Sequence, residues 1–296
     1  MGIKFKIIIN VIIIVVLLVG LTISYFLFLD IESKETKEIK ESCNVEVERF
    51  MGRKIFIIRP KEEVEEERRI LYFHGGSYMV EMSSYHWNFI ENLVLDTKMT
   101  VIIPDYPLTP KYNYKDVYNM VEPLYKEIVQ KVNTEDLIVM GDSAGGGLAL
   151  GLLEKVSEED IAMPNKTILI SPWLDVRLTN PEIDEVQKKD KELNKEALKV
   201  AGIAYAGDDG IDSYLVNPID GDLSKLSNIT ILTGTSDILN PDVHVLEERG
   251  KEQGIDINVK EYEGAGHIWI INEKGDRELI DKGYQDLINM VKDETN

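Results

Sequence analysis

Apolar residues along this chain fall into short blocks, separated by polar stretches with helical spacing. Two early blocks, Val45 to Val47 and Lys54 to Ile58, read as strands. Six more follow at Ile70–Phe73, Thr100–Ile103, Leu137–Met140, Thr167–Ile170, Ile229–Thr233 and Ile257–Tyr262. Each is too short to be a helix and is rich in β-branched or aromatic residues. Between them, Tyr85–Lys98, Lys115–Lys131 and Arg277–Val291 carry the 3.6-residue period of helices that bury one face. Asn240-Pro241-Asp242 looks like a helix opening, with proline and an acid in the first turn.

After the two early strands, strand and helix alternate. This predicts an α/β fold: a mostly parallel eight-stranded sheet with helices on both faces. In such sheets, function collects at the carboxyl ends of the strands. The polar segment from Val176 to Ser227 breaks the alternation and reads as a partial lid, with a helix around Lys195 to Tyr205. The acidic run from Glu62 to Arg69 reads as a solvated turn.

The N-terminus departs from this pattern. Ile7 to Leu29 is uncharged, and its polar side chains are few: Asn10, Thr22, Ser24 and Tyr25. As a helix it would span roughly 34 Å, against about 30 Å for a bilayer core. A cleavable signal would have a shorter apolar region and a small-x-small site, which Ser-Tyr-Phe-Leu-Phe-Leu-Asp lacks. The expectation is a transmembrane anchor over 1–29, a tether over 30–42 and a globular domain over 43–296. Lys4 and Lys6 precede the span, and Lys34, Lys37 and Lys40 follow it. The charge bias is nearly tied, and the short leading tail favours a catalytic domain outside the cytoplasm.

Charge and cysteine count narrow the function classes. The net charge of −20 argues against nucleic-acid binding. Cys43 is the only cysteine, so neither an intrachain disulfide nor a cysteine metal cluster is possible. His74, His86, His244 and His267 show no His-Glu-x-x-His spacing, and no metal site is expected.

The candidate chemistry starts at Gly141-Asp142-Ser143-Ala144-Gly145. A serine on a sharp strand-to-helix turn needs small residues two before and two after it, so that the chain passes without collision. The bland alternative is a glycine-rich turn with a serine cap. Two residues downstream favour a nucleophile. A serine hydroxyl needs a base, and the base needs a carboxylate to orient it. His267 follows the last strand in a Gly-Ala-Gly turn that can reach back over the sheet, whereas His244 falls within a helix. Asp237 lies just past the preceding strand. Asp242, five residues on, is better placed to complement the helix dipole. The expected triad is Ser143, His267 and Asp237. The expected oxyanion donors are the backbone N–H groups of Gly75, Gly76 and Ala144.

These parts together resemble the hormone-sensitive-lipase-like branch of the α/β-hydrolase esterases, over roughly residues 70–270. The marks are His74-Gly75-Gly76, Asp105-Tyr106 with Leu108 and Pro110, Gly141 to Gly146, Ser171-Pro172-Trp173, Asn217-Pro218 with Gly221-Asp222-Leu223-Ser224, Asp237 and His267. The resemblance implies a carboxylic ester hydrolase without a cofactor. Ser77 stands where relatives often have a third glycine, and Pro107 and Thr109 stand where they commonly have Arg and Ala. These departures bear on the acyl pocket.

The leading expectation is a membrane-tethered serine esterase whose partners are a small ester or acylated substrate and the lipid bilayer. An amidase, peptidase or acyltransferase would use the same groups. A non-catalytic binding protein on this fold is the reading from another class, and reaction with a fluorophosphonate would set it apart.

Overall fold

The computed structural model describes residues 39–64 and 68–292. The sheet has eight strands, ordered β1-β2-β4-β3-β5-β6-β7-β8. β1 (Cys43–Phe50) and β2 (Arg53–Pro60) form an antiparallel hairpin closed by Met51-Gly52, both at positive φ as a two-residue hairpin turn demands. β2 pairs antiparallel with β4 (Thr100–Pro104). All other pairings are parallel and join β3 (Arg69–Phe73), β5 (Leu137–Asp142), β6 (Lys166–Ile170), β7 (Ile229–Gly234) and β8 (Ile257–Tyr262). The eight-stranded, mostly parallel α/β sheet is thus as the apolar blocks predict.

The central strands are apolar throughout because both faces are covered. Leu71 and Phe73 of β3 and Leu137 and Val139 of β5 face one core. It also holds α2 (Tyr114–Lys131), α3 (Ser143–Glu158), the lid and α6 (Asn240–Glu252). Ile70 and Tyr72, with Ile138 and Met140, face the other. That side is closed by α1 (Ser84–Thr97), α7 (Trp269–Asn272) and α8 (Arg277–Lys292). Alternate residues of one strand therefore serve opposite cores, as a period of two requires.

Two details differ from the sequence reading. β5 runs on through Gly141 and Asp142, so the strand ends directly on Ser143. The lid holds α4 (Ile183–Val186) as well as α5 (Lys195–Ala206), and α7 is a further short helix. Helices of four residues leave too little periodicity to be seen in sequence. Among the described residues no helix is long and apolar enough to cross a membrane. The run from Ile7 to Leu29 and most of the tether lie outside the described residues.

Candidate active site

The turn from β5 into α3 sets Ser143 at φ +51, the left-handed region that costs a non-glycine residue about 1 kcal/mol or more. The surroundings hold it there. A Cβ on Gly141 would strike the Gly145 carbonyl, and one on Gly145 would strike the Phe73 and His74 carbonyls. The steric reason for the Gly-x-Ser-x-Gly pattern is thereby visible. The Trp173 N–H donates to the Ser143 carbonyl at 2.8 Å and pins the turn to the loop after β6.

Strand order brings the other groups to the same end of the sheet. β7 ends at Gly234, and Asp237 follows in a turn whose N–H donates to the Gly234 carbonyl. β8 ends at Tyr262, and the loop to His267 folds back over the sheet end. Its Ala265 carbonyl accepts from Ser236 N–H, and Ile268 N–H donates to Ser171 Oγ. The three side chains fall into line. His267 Nε2 lies 2.9 Å from Ser143 Oγ, and His267 Nδ1 lies 2.8 Å from Asp237 Oδ2. Asp237 Oδ1 accepts the Leu239 N–H at 2.9 Å, so the carboxylate cannot rotate away. All three residues are buried. Burial pushes the His267 pKa down, but the nearby carboxylates, Asp237 foremost with Asp142 and Asp190, outweigh it and the net shift is upward.

Asp242 is not part of this line. It sits in the first turn of α6, where Oδ1 accepts from Asn180 Nδ2 at 3.0 Å and Oδ2 has no partner among the described residues. Burial pushes its pKa up to about 7. His244 is half exposed and lies 2.8 Å from Glu261. No cluster of metal-binding side chains occurs among the described residues.

The oxyanion loop requires a correction. The Gly75 N–H donates to Asp142 Oδ1 at 2.9 Å, so in this arrangement it does not face a substrate. The next two amides, those of Gly76 and Ser77, have no acceptor among the described residues. Ala144 is in the first turn of α3, where N–H groups lack intrahelical partners. The loop turns at Gly76, φ +113, and continues through Ser77 and Tyr78 at φ +55 and +59. The place where relatives have a third glycine is thus a left-handed position, for which glycine is the unstrained residue.

Asp142, which the sequence reading used only as a motif letter, anchors this loop. It is fully buried and accepts from Tyr72 Oη at 2.5 Å as well as from Gly75. His86 Nε2 lies 3.2 Å from its Oδ2. Ser83 N–H points at His86 Nδ1, which makes that nitrogen the acceptor and leaves the proton on Nε2 for Asp142. Burial pushes Asp142 up, but His86 and Tyr72 outweigh it and the carboxyl titrates below its usual range. His74 stacks on Tyr106, and burial pushes its pKa down to about 4. It is a neutral wall of the loop.

The sheet order and the groups at its carboxyl end define an α/β-hydrolase. A family model described as the alpha/beta hydrolase fold matches residues 70–271. The chain is 31% identical over 207 residues to an esterase of Acinetobacter venetianus, a match that covers 69% of this chain and 68% of that protein. It is 24% identical over 213 residues to an acetyl-hydrolase of Streptomyces hygroscopicus, covering 72% and 71%. A hormone-sensitive lipase from a metagenome library superposes with a TM-score of 0.80 at 22% identity, covering 88% of this chain and 89% of that one. The chain belongs to the α/β-hydrolase fold family and is a carboxylic ester hydrolase.

Proposed function

We propose that this hydrolase is a serine esterase that works through an acyl-enzyme on Ser143. The unbroken line from Ser143 Oγ through His267 to Asp237 carries the reading. Ser143 Oγ attacks the ester carbonyl while His267 Nε2 takes its proton. Asp237 holds the imidazole in the tautomer with a proton on Nδ1 and stabilises the imidazolium. The N–H groups of Gly76, Ser77 and Ala144 receive the developing oxyanion. His267 returns the proton to the leaving alcohol. Water then attacks the acyl-enzyme by the same route, releasing the acid and restoring Ser143.

A fluorophosphonate should label the parent at Ser143 and leave Ser143→Ala unlabelled. On p-nitrophenyl esters of graded chain length, the folded Ser143→Ala variant should keep no more than about 10⁻³ of the parent rate. Near-parent turnover by that variant would remove Ser143 from the mechanism.

The enzyme is further proposed to be held at a membrane by Ile7 to Leu29, with the catalytic domain outside the cytoplasm. The support is the length of that run and its lack of charge. Full-length protein should stay with membranes through high-salt and carbonate washes, and a chain starting near Lys34 should be soluble and active. Mature protein lacking about the first 30 residues would make the segment a cleaved signal.

A further inference from the structure

The lid segment between α4 and α5 touches both of the loops that present the acid and the base. Asp190 Oδ2 accepts the N–H of Ile238, the residue after Asp237, at 2.9 Å. Its Oδ1 accepts the N–H groups of Glu192 and Leu193 at 2.8 and 2.9 Å, which fixes the turn that presents Glu192. Glu192 Oε2 accepts from Asn272 Nδ2 at 2.5 Å, and the same nitrogen donates to the His267 carbonyl at 2.8 Å. The Glu192 carboxylate also packs on the backbone just before His267. A Cβ on Gly266 would lie 2.6 Å from its Oε1.

We propose that Asp190 and Glu192 are positioning residues for the esterase chemistry proposed above. Asp190 holds the acid loop and Glu192 holds the base loop, so the Ser143–His267–Asp237 line is complete only when the lid is seated. The physical case is that the Asp190–Ile238 and Glu192–Asn272 contacts join segments 48 and 80 positions apart in sequence. Neither triad loop is a regular element, and the lid adds a contact to each beyond their bonds to one another and to the sheet ends. A misplacement near 1 Å can cost about 10²-fold in rate, so a clamp on both loops has kinetic weight.

The same carboxylates set the charge around the base. His267 is faced by Asp237 from the loop after β7, by Asp142 from the β5–α3 turn and by Asp190 and Glu192 from the lid. Lys274 Nζ lies beyond, 3.6 Å from Glu192. Burial raises the Glu192 pKa, and its interaction with His267 opposes that rise. A negative lid favours the protonated imidazole. Removing one of its charges should let His267 stay neutral, and so act as a base, to lower pH.

Two substitutions in the full-length protein separate holding from charge. Asp190→Asn has one acceptor oxygen, so it can serve the Glu192 and Leu193 amides or the Ile238 amide but not both. It should lower kcat by about tenfold or more with KM within about threefold, since the interaction matters to the reacting geometry rather than to uniform binding. Glu192→Gln keeps an oxygen for Asn272 and loses the charge. Its kcat at the pH plateau should stay within about threefold of the parent, while the acid limb of kcat/KM moves to lower pH. The titration of the His267 imidazole, followed by nitrogen NMR without substrate, should move the same way.

Parent kcat in Asp190→Asn, or a loss confined to KM, overturns the role of Asp190. An unmoved acid limb and an unmoved imidazole titration in Glu192→Gln overturn that of Glu192. Should Asp190→Asn fail to fold, the Glu192→Gln titration still decides whether the lid acts on the base. A parent protein that neither hydrolyses esters nor reacts with fluorophosphonate would instead sink the esterase reading. The imidazole titration would then still report on the lid.

Discussion

Gly75 N–H and Asp142 Oδ1 are joined by a hydrogen bond of 2.9 Å across 67 positions of sequence. That bond ties the loop after β3 to the residue before the nucleophile. It removes Gly75 from the set of free donors and leaves the next two amides without an acceptor among the described residues.

The oxyanion loop can be tested at its two next positions. Gly76 is at φ +113, and a Cβ there would lie 2.5 Å from the Val80 carbonyl oxygen. Gly76→Val should therefore distort the loop and lose about 10² or more in kcat, near the loss from removing one oxyanion donor. Ser77→Gly keeps the backbone N–H and relieves a left-handed serine. Its rate on a short-chain ester should stay within about tenfold of the parent, or about 1.4 kcal/mol, with an altered substrate preference. Circular dichroism checks the fold of both. Greater damage in Ser77→Gly would mean that the serine side chain itself does part of the work.

Asp237 and Asp242 should separate cleanly in kinetics. Asp237→Asn places an amide against His267 and favours the wrong tautomer, and kcat should fall by about 10⁴. Asp242→Asn touches none of the three side chains and should leave kcat within about threefold. The reverse order in steady-state assays would transfer the orienting role to Asp242.

Asp242 should show itself in stability instead. Its carboxyl is shifted from 3.8 up to about 7 by burial. Between those values the folded state holds a proton that the unfolded state has released, so stability falls as pH rises through this window. The protonated form contributes fully below about pH 4, and the contribution is gone above the folded value. Asp242→Asn should raise the thermal midpoint at pH 8 and change it little at pH 4, with an effect of order a few kcal/mol at most. Thermal melts of parent and variant across pH check this. Equal effects at both pH values would show that Asp242 is not a buried neutral acid.

The pH dependence of turnover should report His267. The Asp237 carboxylate raises its pKa against the opposing effect of burial. The base works only when neutral, so kcat/KM should fall toward acid with its limb above the usual imidazole range. A limb below that range would mean that burial dominates over Asp237.

The sequence by itself determined the strands, their alternation with helices and the Ser143 turn, and it pointed to Asp237 and His267, the residues that lie in line with Ser143. Each rests on local information: a two-residue or 3.6-residue period, a steric need for glycine beside the serine, or chain order past a strand end. Tertiary structure decided the rest. That Gly75 is tied to Asp142 while the Ser77 amide finds no acceptor among the described residues depends on a bond between the loop after β3 and the end of β5. Asp142 as the anchor under Tyr72 and His86 follows from three elements meeting in the core. The carboxylates Asp190 and Glu192 read in sequence only as part of a polar, charged lid segment, and only the folded chain sets them against the loops of Asp237 and His267. Asp242 likewise carries no local sign of its burial. A hydrogen bond between distant residues leaves no period and no motif, because its geometry exists only once the sheet has set both ends in place.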